Sequence, residues 1–322
     1  MTRHFLRDDD LSPAEQAEVL GLAASLKAAP YAAKPLGGPV TVACIYDKPT
    51  LRTQASFSAG IAELGGHPMV VDGGLAGIGV RESVADVARV LARQAGAIVW
   101  RTFAQDNLGE MAAYAGEAGV PVVNALTDDF HPCQLLADLL TLREHKATPA
   151  GDLAGLTVTF LGDAASNMGN SWALAGTLAG IHVRFGAPEG YEPDAGVLAA
   201  AAEIGRATGG SVALDHDPVT AAANADVLIT DTWISMGKED EAAARVATFA
   251  PYALTQQLVE HAHPEAVVLH CLPAYRGKEI AAEVIDGPRS LVWDEAENRR
   301  HAQKAILAFL WERRASQGGA ST

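Results

Sequence analysis

The 322-residue chain is poor in cysteine, in aromatic residues and in positive charge. Its cysteines, Cys44, Cys133 and Cys271, lie far apart and form no CxxC pair. That usage is typical of reduced thiols in a cytosolic protein and gives no case for disulfides or a structural metal. The formal net charge is −15, so no basic face is available to neutralise the phosphates of a nucleic acid. A site for an anionic ligand must then be built locally, from a few arginines and helix N-termini.

Long apolar runs and glycine-rich nucleotide loops are also missing. No stretch is long enough to span a bilayer, and residues 1–16 lack the apolar core of a signal peptide. The strand-to-helix turn at 45–57 carries neither GxxxxGK[ST] nor GxGxxG. A second such turn, "FLGDAASNMG", offers Gly162 alone before two alanines, so backbone could not approach a pyrophosphate closely. These absences argue against a membrane protein and an NAD-dependent dehydrogenase.

Apolar strand-like runs alternate with amphipathic stretches along the chain, which is the pattern of parallel sheets with crossover helices. An opening helix is predicted after Ser12, with Pro13 at its first position and Glu15 in a capping box. Four strand–helix units follow, and six further strand-like runs, the last being "SLVWDE", predict a second sheet. The predicted fold is α/β: two doubly wound parallel-sheet lobes linked by two long helices, with an active-site cleft between them.

The segment "KATPAGDLAG", rich in small residues and proline, is the best candidate for the junction between the lobes. The predicted domains are therefore residues 1–146 and residues 147–297. The last helix, predicted at 298–316, is expected to pack back on the first domain.

In the first lobe, polar residues stand where predicted strands end, the usual ligand position in parallel sheets. "PTLRT" places Arg52 and Thr53 at the start of a helix, so free N–H groups, a cation and hydroxyls combine in a way that suits a phosphate. Arg101 ends the apolar run "AIVWR". His131 and Gln134 lie one helical turn apart and are expected to hydrogen-bond a carbonyl oxygen, with helix capping as the alternative role of His131.

In the second lobe, two strand ends carry reactive side chains. Asp231 follows "VLIT", where a carboxylate either caps the next helix or receives an ammonium group. Cys271 follows "AVVLH" and is either a small buried hydrophobe or a site residue. Because adjacent residues on a strand point to opposite faces, His270 is not the base of a Cys–His dyad, and covalent cysteine catalysis is not expected.

Seven motifs occur in a fixed order: "PTLRT", "WRTF", "HPCQ", "GDAASNMGNS", "DTWISMG", "HCLP" and "WDEAENR". In this order they resemble the aspartate/ornithine carbamoyltransferases, and "DTWISMG" with "HCLP" resembles the ornithine branch in particular. The resemblance extends from "HFLRDDDLS" to the last helix, nearly the whole chain. It implies transfer of a carbamoyl group from carbamoyl phosphate to the side-chain amine of L-ornithine, giving citrulline and phosphate in arginine biosynthesis.

The same resemblance implies a cytoplasmic homotrimer, with a carbamoyl-phosphate lobe, an ornithine lobe and no metal or organic cofactor. By matching position, the carbamoyl phosphate set is Thr50, Leu51, Arg52, Thr53, Arg101, His131, Gln134, Cys271, Leu272 and Arg299. The ornithine set is Asn124, Asn167, Asp231, Ser235 and Met236. The residues expected to act in catalysis are Arg52, Arg101, His131, Asp231 and Cys271.

The chain departs from the family's pattern at two places. The usual phosphate motif is Ser-Thr-Arg-Thr-Arg, whereas this chain has Leu51 in place of the first threonine and Gln54 in place of the last arginine. Gly77 stands where the family commonly has a Gln or His that reaches a neighbouring subunit. Two alternatives to the ornithine enzyme therefore stay open: a carbamoyltransferase for another amine, and a non-catalytic paralogue that binds carbamoyl phosphate.

Overall fold

The computed structural model describes residues 2–148, 151–234 and 239–318. The strands are β1 Thr41–Tyr46, β2 His67–Asp72, β3 Ala97–Arg101, β4 Val122–Leu126, β5 Thr157–Leu161, β6 His182–Gly186, β7 Ser211–Asp215, β8 Val227–Thr230 and β9 Val267–Leu269. The helices are α1 Pro13–Ala28, α2 Arg52–Glu63, α3 Gly73–Ala76, α4 Val84–Leu91, α5 Gln105–Glu117, α6 Pro132–Lys146, α7 Asn167–Leu178, α8 Ala195–Thr208, α9 Pro218–Ala222, α10 Ala242–Phe249, α11 Gln256–Val259, α12 Ala282–Ile285 and α13 Val292–Gly318. Within the described ranges, no helix is both long and apolar enough to cross a membrane.

The chain packs as two compact units. Unit 1 consists of Met1–Leu140 and Glu297–Thr322, and unit 2 of Thr141–Ala296. The sequence predicts boundaries at 146 and 297; the packing divides the chain inside α6 and near the start of α13. Each unit is built on its own parallel sheet, which confirms the predicted α/β class with two parallel-sheet domains.

The sheet of unit 1 has the order β2-β1-β3-β4, with all pairs parallel. One of its faces packs Ile45 and Trp100 against α4 and α5. Because side chains alternate along a strand, Tyr46 and Arg101 point to the other face. On the side of α2, a Cβ added at Gly60 would lie 3.0 Å from Lys304 Cγ of α13, so these two helices are in close contact. The C-terminal ends of β1 and β3 thus open towards α2 and α13.

The sheet of unit 2 has the order β7-β6-β5-β8-β9, again parallel throughout. Its core joins Leu161 and Leu228 to apolar residues of the chain after β8, including Leu254, Ile280 and Val292. The strand order changes direction at β5, so the ends of β5 and β8 lie side by side at the position where doubly wound sheets bind ligands.

The predicted sixth strand of the second sheet, "SLVWDE", is wrong. Ser290 makes an isolated bridge to Val268, and α13 begins at Val292, before the predicted start at 298. Asp294 and Glu295 lie in the first turn of α13, where negative charge interacts favourably with the helix dipole. The residues of "SLVWDE" from Val292 onwards therefore form the start of α13, although most of the segment before its acidic residues is apolar.

The opening helix shows how far local chemistry decides a boundary. Ser12 accepts a hydrogen bond from Glu15 N at 3.3 Å, and Glu15 Oε2 accepts from Ser12 N at 2.9 Å. The helix begins at Pro13, as predicted. The capping box therefore forms as the sequence indicated.

Candidate active site

The turn between β1 and α2 presents a helix N-terminus beside a cation. Leu51 is the N-cap of α2 and its side chain makes no capping hydrogen bond, being apolar and 78% exposed. Without a capping side chain, the first N–H groups of the helix are directed at whatever anion approaches the turn. Arg52 begins the helix, and the buried Thr53 follows it.

Thr53 lies between two buried guanidinium groups from distant parts of the chain. Its Oγ1 accepts a hydrogen bond from Arg299 Nη2 at 3.1 Å and one from Arg101 Nη1 at 3.4 Å. Arg101 ends β3 and is 9% exposed, whereas Arg299 belongs to α13 and is 3% exposed. Like charges gathered in a poorly hydrated place repel each other unless an anion joins them, so this cluster is suited to a phosphate.

Gln134 connects Arg299 to helix α6. Its Oε1 accepts from Arg299 Nη1 at 2.6 Å, and its Nε2 donates to Asp138 Oδ1 at 2.8 Å. All three side chains are at most 3% exposed. Gln134 is therefore at the cluster, as the sequence predicted, and it also holds the guanidinium group of Arg299.

His131 belongs to the same cluster electrostatically. It is 4% exposed, and burial lowers its pKa well below the usual value, with the charges of Arg299, Arg101 and Arg52 lowering it further. The imidazole is therefore neutral near pH 7 and can donate one hydrogen bond to an oxygen without acting as a strong acid. The combined influence of three arginines on one ring indicates that the predicted residues come together.

A lysine that sequence analysis missed ties the loops of this cluster to one another. Lys48 is buried, forms an ion pair with Asp128 and lies over the ring of Phe103 at 4.5 Å. The loop backbones are also joined, because Asp47 N donates to Arg101 O at 2.9 Å and Asp128 N to Phe103 O at 2.8 Å. Since Lys48 directly precedes the "PTLRT" motif, its position was visible in the sequence, but its partners were not.

Asn124 is engaged elsewhere in unit 1. The residue is fully buried, and its Nδ2 donates to Leu6 O at 2.9 Å, with Gln105 Oε1 at 3.4 Å. It points to the face of the sheet that carries α5, opposite to the face of Arg101. Its assignment as an ornithine ligand stays a prediction.

In unit 2, the predicted residues follow the ends of β5, β8 and β9. Cys271 Sγ donates to Asp231 Oδ1 at 3.2 Å, and the same oxygen accepts from Thr232 N at 2.7 Å. Asn167 is the first residue of α7, which is capped by Ser166. The thiol and the carboxylate are therefore together, as their positions after neighbouring strands suggested. Ser235 and Met236 lie outside the described residues.

Leu272 has a left-handed backbone conformation, with φ of 58°, which residues other than glycine rarely adopt. Its N–H donates to His270 Nδ1 at 2.9 Å, and His270 Nε2 lies 3.4 Å from Glu279 Oε1. A left-handed non-glycine residue costs about 1–2 kcal/mol, and the buried imidazole helps to hold it. His270 and Cys271 have different hydrogen-bond partners. The expectation that they point to opposite faces of a strand is wrong, because β9 ends at Leu269 and the donor atoms of the two residues lie within 4.8 Å of each other.

The donor atoms of Asp231, His270 and Cys271 lie within 4.8 Å of one another, a spacing that could hold a metal ion. His270 Nδ1 accepts from Leu272 N and Nε2 lies 3.4 Å from Glu279 Oε1, so both ring nitrogens have polar neighbours other than Asp231 and Cys271. Cys271 and Asp231 are joined by a hydrogen bond of their own.

Arg245 links the segment after β8, which contains Asp231, to the segment after β5. It is 3% exposed, its Nε donates to Trp233 O at 2.5 Å, and it pairs with Asp163 just after β5. Its guanidinium also lies 5.1 Å from the ring centroid of Phe249. Sequence analysis missed this arginine because it lies inside α10, far along the chain from both of its polar partners.

The burial of His131 predicts a measurable pH dependence of stability. In the unfolded chain the ring takes up a proton below its ordinary pKa of about 6.5, whereas the folded protein resists protonation. Stability therefore falls as pH decreases below about 6.5, by up to about 1.4 kcal/mol per pH unit for each such histidine. Burial also lowers the pKa of His4 and His301 to about 4, so three rings contribute.

We expect His131→Gln to lose less stability than the parent protein between pH 7.5 and pH 5.5, measured by urea unfolding. His261→Gln is the matched control, because His261 is exposed in unit 2. An unchanged pH dependence in His131→Gln would contradict the assignment of a neutral, buried ring.

Comparison with known proteins agrees with this geometry. Residues 3–144 match the family described as "Aspartate/ornithine carbamoyltransferase, carbamoyl-P binding domain", and residues 154–310 match the "Asp/Orn binding domain" of the same family. An ornithine carbamoyltransferase of Clavibacter sepedonicus is 60% identical over 310 residues, which cover 96% of this chain and 99% of that protein.

Solved structures similar to this chain are also ornithine carbamoyltransferases. The crystal structure of ornithine carbamoyltransferase from Gloeobacter violaceus has a TM-score of 0.85 at 42% identity, covering 96% of this chain and 99% of that one. The enzyme from Pyrococcus furiosus has a TM-score of 0.89 at 41% identity, covering 95% and 96% respectively. The chain therefore belongs to the aspartate/ornithine carbamoyltransferase family.

Proposed function

We propose that the protein transfers the carbamoyl group of carbamoyl phosphate to the δ-amine of L-ornithine, giving L-citrulline and phosphate for arginine biosynthesis. The observation that carries the proposal is the buried cluster in which Arg101 and Arg299 share the hydroxyl of Thr53 beside a neutral His131. Thr53, Arg101 and His131 lie in the segment that matches the carbamoyl phosphate domain of the family. Arg299 packs in the same unit, although its segment is covered by the match to the Asp/Orn binding domain.

The phosphate of carbamoyl phosphate binds at the N-terminus of α2. Thr50, Arg52 and Thr53 supply hydroxyls and a cation, and the backbone N–H of Leu51 adds a donor that does not depend on its side chain. Arg299 completes the phosphate contacts from α13. These groups come from one turn and one helix, so the anion bridges parts of the chain that are far apart in sequence.

The carbamoyl end is held by Arg101, His131 and Gln134. Attack of an amine on the carbonyl carbon places negative charge on the carbonyl oxygen, and donors aimed at that oxygen stabilise the transition state. A neutral His131 donates a hydrogen bond to this oxygen while keeping its proton. Gln134 Oε1 accepts from Arg299 and Nε2 donates to Asp138, so the second N–H of this amide is the donor proposed for the carbamoyl end.

Ornithine is held by unit 2. Asn167, Ser235 and Met236 bind the amino acid, Asn124 is a further predicted ligand, and Asp231 orients the α-ammonium group. Cys271 and Leu272 line the reacting centre, where Cys271 hydrogen-bonds Asp231. Asp231 is committed to two hydrogen bonds, which suits an orienting carboxylate better than a base that must move a proton.

The rate then comes largely from holding two substrates in line. The site selects ornithine with a neutral δ-amine, and the leaving phosphate takes up the proton that the amine loses. Fixing both reactants in this way removes much of the entropic part of the barrier. No metal or organic cofactor takes part in this scheme.

The direct test is citrulline formation from carbamoyl phosphate and L-ornithine, with putrescine, L-lysine, N-acetylornithine and L-aspartate as alternative amines. We expect turnover with ornithine and at most trace rates with the others. Turnover with another amine would instead support a carbamoyltransferase of different specificity. Binding of carbamoyl phosphate without turnover of any amine would support a non-catalytic paralogue.

The departures from the family motif make a second prediction. Gln54 lies two residues after Arg52 on α2, therefore on the opposite side of the helix, and its side chain is exposed. An exposed charge contributes no more than about 1 kcal/mol, so Gln54→Arg is expected to change the Kd of carbamoyl phosphate by less than about fivefold.

Thr53→Val is the contrasting variant, since it keeps the shape of the side chain and removes the oxygen that two arginines share. Loss of a hydrogen bond to a charged group costs about 1.5–3 kcal/mol, so the Kd should rise about 10- to 100-fold. Both values can be measured by isothermal titration calorimetry. A tenfold gain in Gln54→Arg would show that the missing arginine charge does limit binding.

The homotrimer implied by family resemblance is also part of the proposal. β2 is an edge strand without a buried residue, and Leu75 and Val80 beyond it are 81% and 94% exposed. An exposed sheet edge flanked by apolar side chains favours pairing with a second copy.

Sedimentation should therefore give the mass of three copies of the 33.5 kDa chain. Leu75→Asp with Val80→Asp is expected to lower that mass, because each places a charge in the proposed interface. Val219→Asp, at an apolar position of unit 2 that is 41% exposed, is the control. A monomeric parent protein would contradict the trimer.

A further inference from the structure

A buried chain of polar side chains runs from Arg299 through Gln134 to Asp138 of α6. Arg299 Nη1 donates to Gln134 Oε1 at 2.6 Å, and Gln134 Nε2 donates to Asp138 Oδ1 at 2.8 Å. Asp138 is 1% exposed and stands among Leu135, Leu139 and Leu140, which are all fully buried. A carboxylate at such a position is costly, because burial removes it from water.

The chemistry of the two neighbours decides how the amide of Gln134 is oriented. A guanidinium group only donates hydrogen bonds, so Arg299 requires the amide oxygen. An ionised carboxylate only accepts, so Asp138 requires the amide nitrogen. Because Gln134 and Asp138 are four residues apart on α6, they face each other on one side of the helix. Either neighbour alone favours this orientation, and the two together enforce it.

We propose that Asp138 is a positioning residue, which fixes the amide of Gln134 and through it the guanidinium of Arg299. The proposal rests on the proposed function, because Arg299 matters here as a ligand of carbamoyl phosphate. It assigns to Asp138 no contact with the substrate. Its effect is transmitted through two hydrogen bonds to a group that also holds Thr53 at 3.1 Å.

The first variant is Asp138→Asn, which keeps the size of the side chain. The new amide can offer either its oxygen or its nitrogen to Gln134, so the orientation of Gln134 is then favoured by Arg299 alone and no longer enforced from both sides. We expect the Kd of inorganic phosphate, measured by calorimetry, to rise about tenfold, while the KM of L-ornithine at saturating carbamoyl phosphate changes less than twofold. Inorganic phosphate is the probe because it tests the arginine without requiring contacts at the carbamoyl end.

A second variant removes the acceptor altogether. Asp138→Leu matches its buried neighbours Leu135, Leu139 and Leu140, so we expect it to fold, and it takes away the carboxylate oxygen that accepts from Gln134 Nε2. We expect the Kd of inorganic phosphate to rise at least as much as in Asp138→Asn.

Stability has to be separated from positioning. Each variant is therefore also compared by thermal unfolding, together with Thr177→Val as a control. Thr177 is a fully buried polar residue of α7 in unit 2, and its hydroxyl donates to Ala173 O at 2.6 Å. We expect this control to lower the Tm without changing phosphate affinity.

The outcomes distinguish failure of the proposed function from failure of the positioning role of Asp138. If the parent protein binds neither phosphate nor carbamoyl phosphate, the proposed function fails. If the parent binds phosphate and Asp138→Asn binds it equally well, or loses only Tm, the positioning role is overturned and the proposed function stands. Should Asp138→Asn not fold, Asp138→Leu decides, because a phosphate affinity within threefold of the parent protein in that variant would overturn the proposal.

Discussion

Unit 1 is organised around positive charge that is buried before any ligand arrives. Arg101 and Arg299 both donate to Thr53 Oγ1. Burial lowers the pKa of His131, and the charges of these two arginines and of Arg52 lower it further. Holding like charges together in a poorly hydrated place is unfavourable by itself. The same arrangement makes binding of an anion favourable, since the ligand removes a repulsion that the folded protein has already accepted. At this cluster, the repulsion between the arginines lowers the stability of the folded protein and raises its affinity for an anion.

The arginines of this cluster keep their positions only if the residues that contact them are held in place. Two polar chains do this on different sides: Lys48 joins Asp128 and Phe103, and Gln134 joins Arg299 to Asp138. Both chains use groups whose hydrogen-bonding roles cannot be exchanged, such as an ammonium against a carboxylate. A guanidinium group that is already hydrogen-bonded to another side chain loses less conformational freedom when the ligand binds. The supporting residues therefore contribute to affinity without touching the substrate.

The sequence predicted what depends on neighbours along the chain. The capping box at Ser12 and Glu15 and nine of the ten predicted strands follow from local pattern, and the structure confirms these elements. The "SLVWDE" run failed because its apolar start outweighed the acidic first turn of α13. Arg299 was assigned by family resemblance alone, since no local pattern distinguishes it from the arginine beside it. Asp138 was missed because the sequence does not show that a carboxylate one turn after Gln134 is buried. Arg245 was missed because its polar partners Trp233 and Asp163 lie far from it along the chain.

The net charge of −15 raises the question of how an acidic protein attracts a doubly negative substrate. Screening answers part of it, because charges on the surface act over about 8 Å at physiological ionic strength. The buried arginines are screened much less, so their field dominates close to the turn between β1 and α2. Arg299 is 3% exposed and Arg101 is 9% exposed, which places both in the weakly screened regime. A few well-held cations can therefore outweigh a large and distant negative surface, and for that reason the orientation of each guanidinium matters more here than the total charge of the chain.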